Sequence, residues 1–170
     1  MRFLLRLKHW QLFFLAIGLP ILADFFTSGH GQAGTMDKVI GVITVSTVFG
    51  WIWTIGNELY KLLPAGQNFK LWRFRTAITL ALTLLVFIFW ITENETIMAS
   101  DDFLILIFTG TPIYLGLMIY VVLYAAKTLK TIELGRSAKI DEYAGEAFLI
   151  WMVPLGVWFI QPRLNKLTED

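Results

Sequence analysis

Four apolar runs, at about 10–26, 39–63, 74–92 and 103–126, leave this chain few ways to fold. A crossing of the roughly 30 Å hydrocarbon core takes about 20 predominantly apolar residues in a helix. In lipid each backbone N–H and C=O must find its partner inside the segment or its neighbours, which selects helices. The expected fold is therefore all-α: a polytopic membrane protein built as an antiparallel four-helix transmembrane bundle. With 56% hydrophobic residues, 16% charged residues and a mean hydropathy of +0.65, 170 residues are too apolar for a soluble domain. Short connections leave no room for a second unit, so residues 1–170 read as a single transmembrane domain.

The charges orient that bundle. Thirteen of the fourteen lysines and arginines fall before the first run, between the second and third, or after the fourth. The other two connections hold only Lys38, against Asp24, Asp37, Glu93, Glu95, Asp101 and Asp102. Basic residues resist translocation, which predicts cytoplasmic N- and C-termini. The basic n-region and the Ile21-Leu22-Ala23 ending mimic a signal peptide. We read the run as a span, kinked near Pro20.

Local signals agree. Thr35 and Asp37 suit the start of the second helix, and Pro64-Ala65-Gly66-Gln67-Asn68 ends it in a tight turn. Ser100-Asp101-Asp102 opens the fourth helix with acids at its N-terminus, where the helix dipole favours them. That helix is expected to continue beyond the bilayer through Leu129, Ile132 and Leu134. The segment Ala147–Ile160 is about 14 residues, short for a crossing and interrupted by Pro154 and Gly156. An interfacial or half-inserted helix over about 143–160 is expected there, because spanning would place Arg163 and Lys166 outside.

The ending Trp158-Phe159-Ile160-Gln161-Pro162-Arg163-Leu164-Asn165-Lys166, with Glu142-Tyr143-Ala144-Gly145-Glu146, Phe148-Leu149-Ile150-Trp151 and the opening Leu7-Lys8-His9-Trp10-Gln11-Leu12-Phe13, resembles a family of small membrane proteins of Bacteroidota. The resemblance covers about a fifth of the chain. It implies a bacterial inner membrane and carries no activity to transfer.

Few residues invite chemistry. There is no cysteine, which excludes disulfides and thiolate chemistry. His9 and His30 fall on opposite membrane faces and cannot share a metal within one subunit. No Gly-x-Ser-x-Gly elbow occurs, and no span carries a lysine to activate a serine. No catalytic, cofactor-binding or metal residue is assigned, and the basic residues flank spans rather than forming a nucleic-acid face. Asp24, Glu58, Asp101 and Asp102 are candidates for an ion or proton site. Hydrated interfacial positions explain Asp24 as well, and an ion pair with Lys61 explains Glu58. Ser46, Gly50, Thr54, Ala77, Ala81 and Gly116 are small residues suited to close helix packing. Lys70, Trp72, Arg73 and Arg75 are candidates for contacts with lipid headgroups. Tyr120 and Tyr124 share a face of the fourth helix and fit an interfacial belt.

Three functions remain compatible. The first is a non-catalytic membrane subunit or scaffold, whose partners are the lipid bilayer and either another membrane protein or copies of itself. The second is a small oligomeric transporter or ion channel, and the third a lipid-binding or lipid-modifying protein. No cofactor is expected.

Overall fold

The computed structural model describes residues 4, 7–27, 33–98 and 102–168, and every regular element among them is helical. The first apolar run is an interrupted helix: α1 (His9–Phe13), a π-helical turn (Phe14–Gly18) and α2 (Leu19–Thr27). The reason lies one step downstream. Pro20 has no N–H to donate back along the helix. The chain widens just before it, and the Leu19 N–H reaches Phe14 O in an i→i+5 bond. The irregularity expected at Pro20 thus sits in the turn preceding it.

Four further helices build the body: α3 (Ala33–Tyr60), α4 (Leu71–Thr92), a single turn α5 (Glu95–Met98) and α6 (Asp102–Leu134). Helix α3 begins before Thr35 and Asp37, so both lie inside its first turns rather than ahead of it. Gly66 turns the α3–α4 connection at φ +85°, and Gly135 ends α6 at φ +65°, left-handed conformations that glycine adopts without a Cβ penalty. Helix α6 has 33 residues, about 50 Å, longer than a bilayer's hydrocarbon core is thick. Among the described residues, three helices are long and apolar enough to cross a membrane, Lys38–Tyr60, Leu71–Thr92 and Phe103–Leu134, or four if the bent pair Ile140–Trp151 and Val153–Leu167 is one span. The apolar stretch His9–Leu22 is shorter.

The C-terminal region departs from the expected single helix over 143–160. Two helices stand there, α7 (Ile140–Trp151) and α8 (Val153–Thr168), bent by 119°. The break falls at Met152 (φ −83°, ψ 72°), two residues ahead of Pro154. Proline supplies no amide for a continuous helix at that point. Gly156 permits the sharp crossing, because a β-carbon there would lie 2.2 Å from the Leu149 carbonyl oxygen. Both arms of this hairpin return to the same end of α6. Arg163 on α8 donates to Glu133 on α6 at 2.5 and 2.7 Å and to Glu146 on α7 at 3.0 Å, and Lys130 donates to Glu146 at 3.0 Å. Arg136, just beyond α6, pairs with Glu142 in the first turn of α7. Two arms laid end to end across a membrane would hold these charges tens of ångströms apart.

The core is confined to the basic end of the bundle. Trp51, Ile55 and Leu59 of α3, Phe74 and Ile78 of α4, Val121, Ala125 and Leu129 of α6, and Ile150, Val157, Ile160 and Leu164 of the hairpin are buried together. Towards the other end the long helices expose Val42, Leu82, Val86, Phe89, Leu104, Ile105, Phe108 and Ile113. Within lipid, apolar exposure costs little, so cohesion of the bundle rests on close packing and hydrogen bonds rather than on exclusion of water. One such bond network is deep. Trp51 Nε1 donates to Gln161 Oε1 at 2.8 Å, and Gln161 Nε2 reaches the carbonyls of Leu4 and Leu7, each at 3.0 Å. His9 packs on Trp158 with ring centroids 4.6 Å apart, fastening α1 to α8.

Candidate functional site

A cavity of about 380 Å³ opens at the basic end, between the α3–α4 connection, α6 and α7. Asn68, Phe69 and Lys70 come from the connection and Arg73 from the first turn of α4. Tyr120, Leu123, Tyr124 and Lys127 lie at i, i+3, i+4 and i+7 along α6, one helical face, and Tyr143 of α7 completes the lining. The local folding explains this set. The Gly66 turn swings Phe69 and Lys70 back against α6, and the α7 hairpin brings Tyr143 to the same place.

Aromatic contacts fix the back wall. Tyr124 stacks on Phe74 at 4.7 Å with 21° between planes and meets Phe69 edge-on at 5.8 Å. Gly56 on α3 stands directly behind Phe74, and a β-carbon there would fall 2.2 Å from Phe74 Cζ. The Tyr124 side chain is buried, and its hydroxyl has no hydrogen-bond partner. A buried, unsatisfied hydroxyl is costly unless something fills its need.

The electrostatics have one sign. Lys70, Arg73 and Lys127 line the cavity with no carboxylate among the described lining residues, and none of the three enters an ion pair there. Lys127 Nζ lies 5.3 Å from the Phe69 ring centroid, and Arg73 lies 5.6 Å from that of Trp72. Lys70, the residue preceding α4, places no side-chain acceptor on the first-turn amides, so the positive end of that helix dipole also borders the cavity. Neighbouring cations are spoken for. Lys130, Arg136 and Arg163 are held by Glu133, Glu142 and Glu146. The Arg136 hydrogen bond holds the Glu142 carboxyl down at about 2, with the Lys139 amide assisting.

Of the headgroup residues read from sequence, Lys70 and Arg73 face the cavity. Trp72 is exposed beside it, and Arg75 instead donates to Asn57 Oδ1 at 2.7 Å. Lys127, Phe69 and Tyr143 were not singled out in sequence, although Tyr120, Tyr124 and Lys127 do follow helical spacing. Among the ion-site candidates, Glu58 pairs with Lys61 at 2.9 Å. Asp101 lies outside the described residues, as do the side chains of Asp24 and Asp102. Among the small residues, Ala77 and Ala81 are buried, Thr54 is buried and donates to Gly50 O at 2.6 Å, and Gly50 faces Leu4. Ser46 is exposed, and a β-carbon at Gly116 would meet nothing within 4 Å. The closest backbone approach falls elsewhere, at Gly56 and Gly156.

No family model, curated protein or solved structure matches this chain. The reading of the site therefore rests on its own chemistry.

Proposed function

We propose that this chain is a non-catalytic multi-pass protein of a bacterial inner membrane that holds the headgroup of an anionic amphiphile at its cytoplasmic face. The observation that carries this reading is the cavity itself, in which Lys70, Arg73 and Lys127 stand without a carboxylate beside the unpartnered Tyr124 hydroxyl. Cytoplasmic placement of that end is supported by the positive-inside bias. In this topology α3, α4 and α6 cross the bilayer, the α1–α2 segment completes a four-span N-in arrangement, and the α7–α8 hairpin dips into the inner leaflet and returns. Its exposed Phe148, Trp151, Met152, Leu155, Trp158 and Phe159 suit that immersion.

The lining supports binding over turnover. Among the described lining residues are cations and phenols but no carboxylate, histidine or thiol to act as base or nucleophile at neutral pH. Native mass spectrometry of the full chain released from nanodiscs tests the proposal. Anionic lipid is expected to stay bound to the wild type and to be lost from the triple variant Lys70→Gln/Arg73→Gln/Lys127→Gln. Equal retention by both would refute it. The same spectra read a second proposal, assembly with itself or another membrane protein, which the open faces around Ser46 and Gly116 favour.

A further inference from the structure

The charge and depth of the cavity discriminate among anionic headgroups. A phosphodiester headgroup such as phosphatidylglycerol brings one negative charge. A phosphomonoester brings about −1.5 to −2 at pH 7 and three terminal oxygens instead of two. Here three cations outside any ion pair line one cavity, while Lys130, Arg136 and Arg163 nearby are already neutralised by glutamates. Nearby cations also favour the more highly ionised form of a phosphate. The Tyr124 hydroxyl adds a donor whose need nothing within the protein meets. The first turn of α4, whose Arg73 N–H donates to Lys70 O at 3.1 Å, brings the positive end of its helix dipole to the same place.

The lining is graded along α6. Lys127 stands at the basic end, and Leu123 and Tyr120 follow towards the bilayer, Tyr120 about 10 Å deeper at 1.5 Å per residue. Tyr120 is exposed, so the cavity is open on the side where acyl chains lie. A free anion would use only the upper part of such a site; a lipid uses all of it.

Resting on the proposal that this cavity holds an anionic amphiphile, we infer that it selects a lipid phosphomonoester over a phosphodiester lipid, the phosphate seated among Lys70, Arg73 and Lys127 and the tail leaving past Tyr120. The Tyr124 hydroxyl, buried in the wall of the cavity without a partner, is the donor nearest the aromatic back wall that the extra terminal oxygen would engage. Lys70 and Lys127 supply the point charges that respond to the second negative charge.

The full chain is reconstituted in phosphatidylcholine nanodiscs containing equal amounts of phosphatidic acid and phosphatidylglycerol, and the lipids retained on the released protein are counted by mass. Phosphatidic acid is expected to be enriched about two- to fivefold, the scale of one additional partly solvated charge contact. The ratio should fall towards unity in Arg73→Gln and Lys127→Gln and remain unchanged in Lys166→Gln, an exposed cation away from the cavity. Tyr124→Phe keeps the ring stack and should lower the ratio on its own, which separates lost recognition from lost folding. Equal retention of both lipids, abolished by the cavity variants, would overturn the phosphomonoester selectivity while leaving anionic binding standing. Retention indifferent to all cavity variants would overturn both. Displacement of phosphatidic acid by inorganic phosphate would overturn the assignment to a lipid.

Discussion

Gly56→Ala probes the wall on which the cavity depends. The new β-carbon would sit 2.2 Å from Phe74 Cζ and 2.3 Å from Cε1. Carbon atoms at rest stand about 3.5–4.0 Å apart, so the ring must retreat by roughly 1 Å or more, or α3 and α4 must separate. Phe74 is 0% exposed and stacked on Tyr124, so it has no free direction and hands the displacement to the cavity. Overpacking of this kind costs about 1–3 kcal/mol. The variant is assayed by sodium dodecyl sulfate titration of the protein in mixed micelles, followed by tryptophan emission, together with retention of anionic lipid. Both the unfolding midpoint and lipid retention are expected to fall. Phe74→Leu in the same chain should return part of the lost stability, a non-additive result expected only for residues in contact. A Gly56→Ala protein with wild-type midpoint and wild-type lipid retention would refute the close α3–α4 approach and the coupling built on it.

Gln161→Leu should destabilise by about 2–4 kcal/mol, because it strands the buried Trp51 N–H and the Leu4 and Leu7 carbonyls at once; a cycle with Trp51→Phe should show coupling, and simple additivity would deny the bond its role. Glu142 has its carboxyl depressed to about 2 by Arg136, so the pair's contribution is present above the ordinary carboxylate pKa of about 4.5 and disappears as pH falls towards 2. Glu142→Gln should therefore lower the melting temperature at neutral pH by an amount that shrinks as pH falls from about 4.5 towards and through 2, and a difference that does not shrink contradicts the assignment. Single cysteines at Gln67 and Ser137 should react with impermeant maleimide only after permeabilisation, whereas one at Asn94 should react in intact cells; the reverse pattern inverts the proposed topology.

The main elements were readable from one dimension because lipid imposes one-dimensional rules. A long apolar run must become a helix, as happens over Lys38–Tyr60, Leu71–Thr92 and Phe103–Leu134. The length of α6 and the turn at Pro64–Asn68 were equally local consequences of composition and of glycine and proline placement. The lysine and arginine bias specifies the expected orientation in the same local manner. Two of the three cavity cations were visible too, since Lys70 in the connection and Arg73 at the start of α4 stand where basic residues gather.

What remained depends on which helix meets which. Small residues at Ser46, Gly50 and Thr54 marked a face, but only the packed bundle shows that Gly56 is where α3 admits Phe74. Pro154 and Gly156 announced a break, yet the 119° hairpin that returns Arg163 to Glu133 depends on ion pairs spanning about 30 residues of sequence. Lys127 looks like any other flanking lysine until Phe69, Tyr124 and Tyr143 surround it from three segments of chain. Sequence by itself determined the three long apolar helices, because each follows from its own residues in a low-dielectric solvent. Tertiary structure alone decided which cations found carboxylates and which were left to face a cavity, because pairing is set by distance in space.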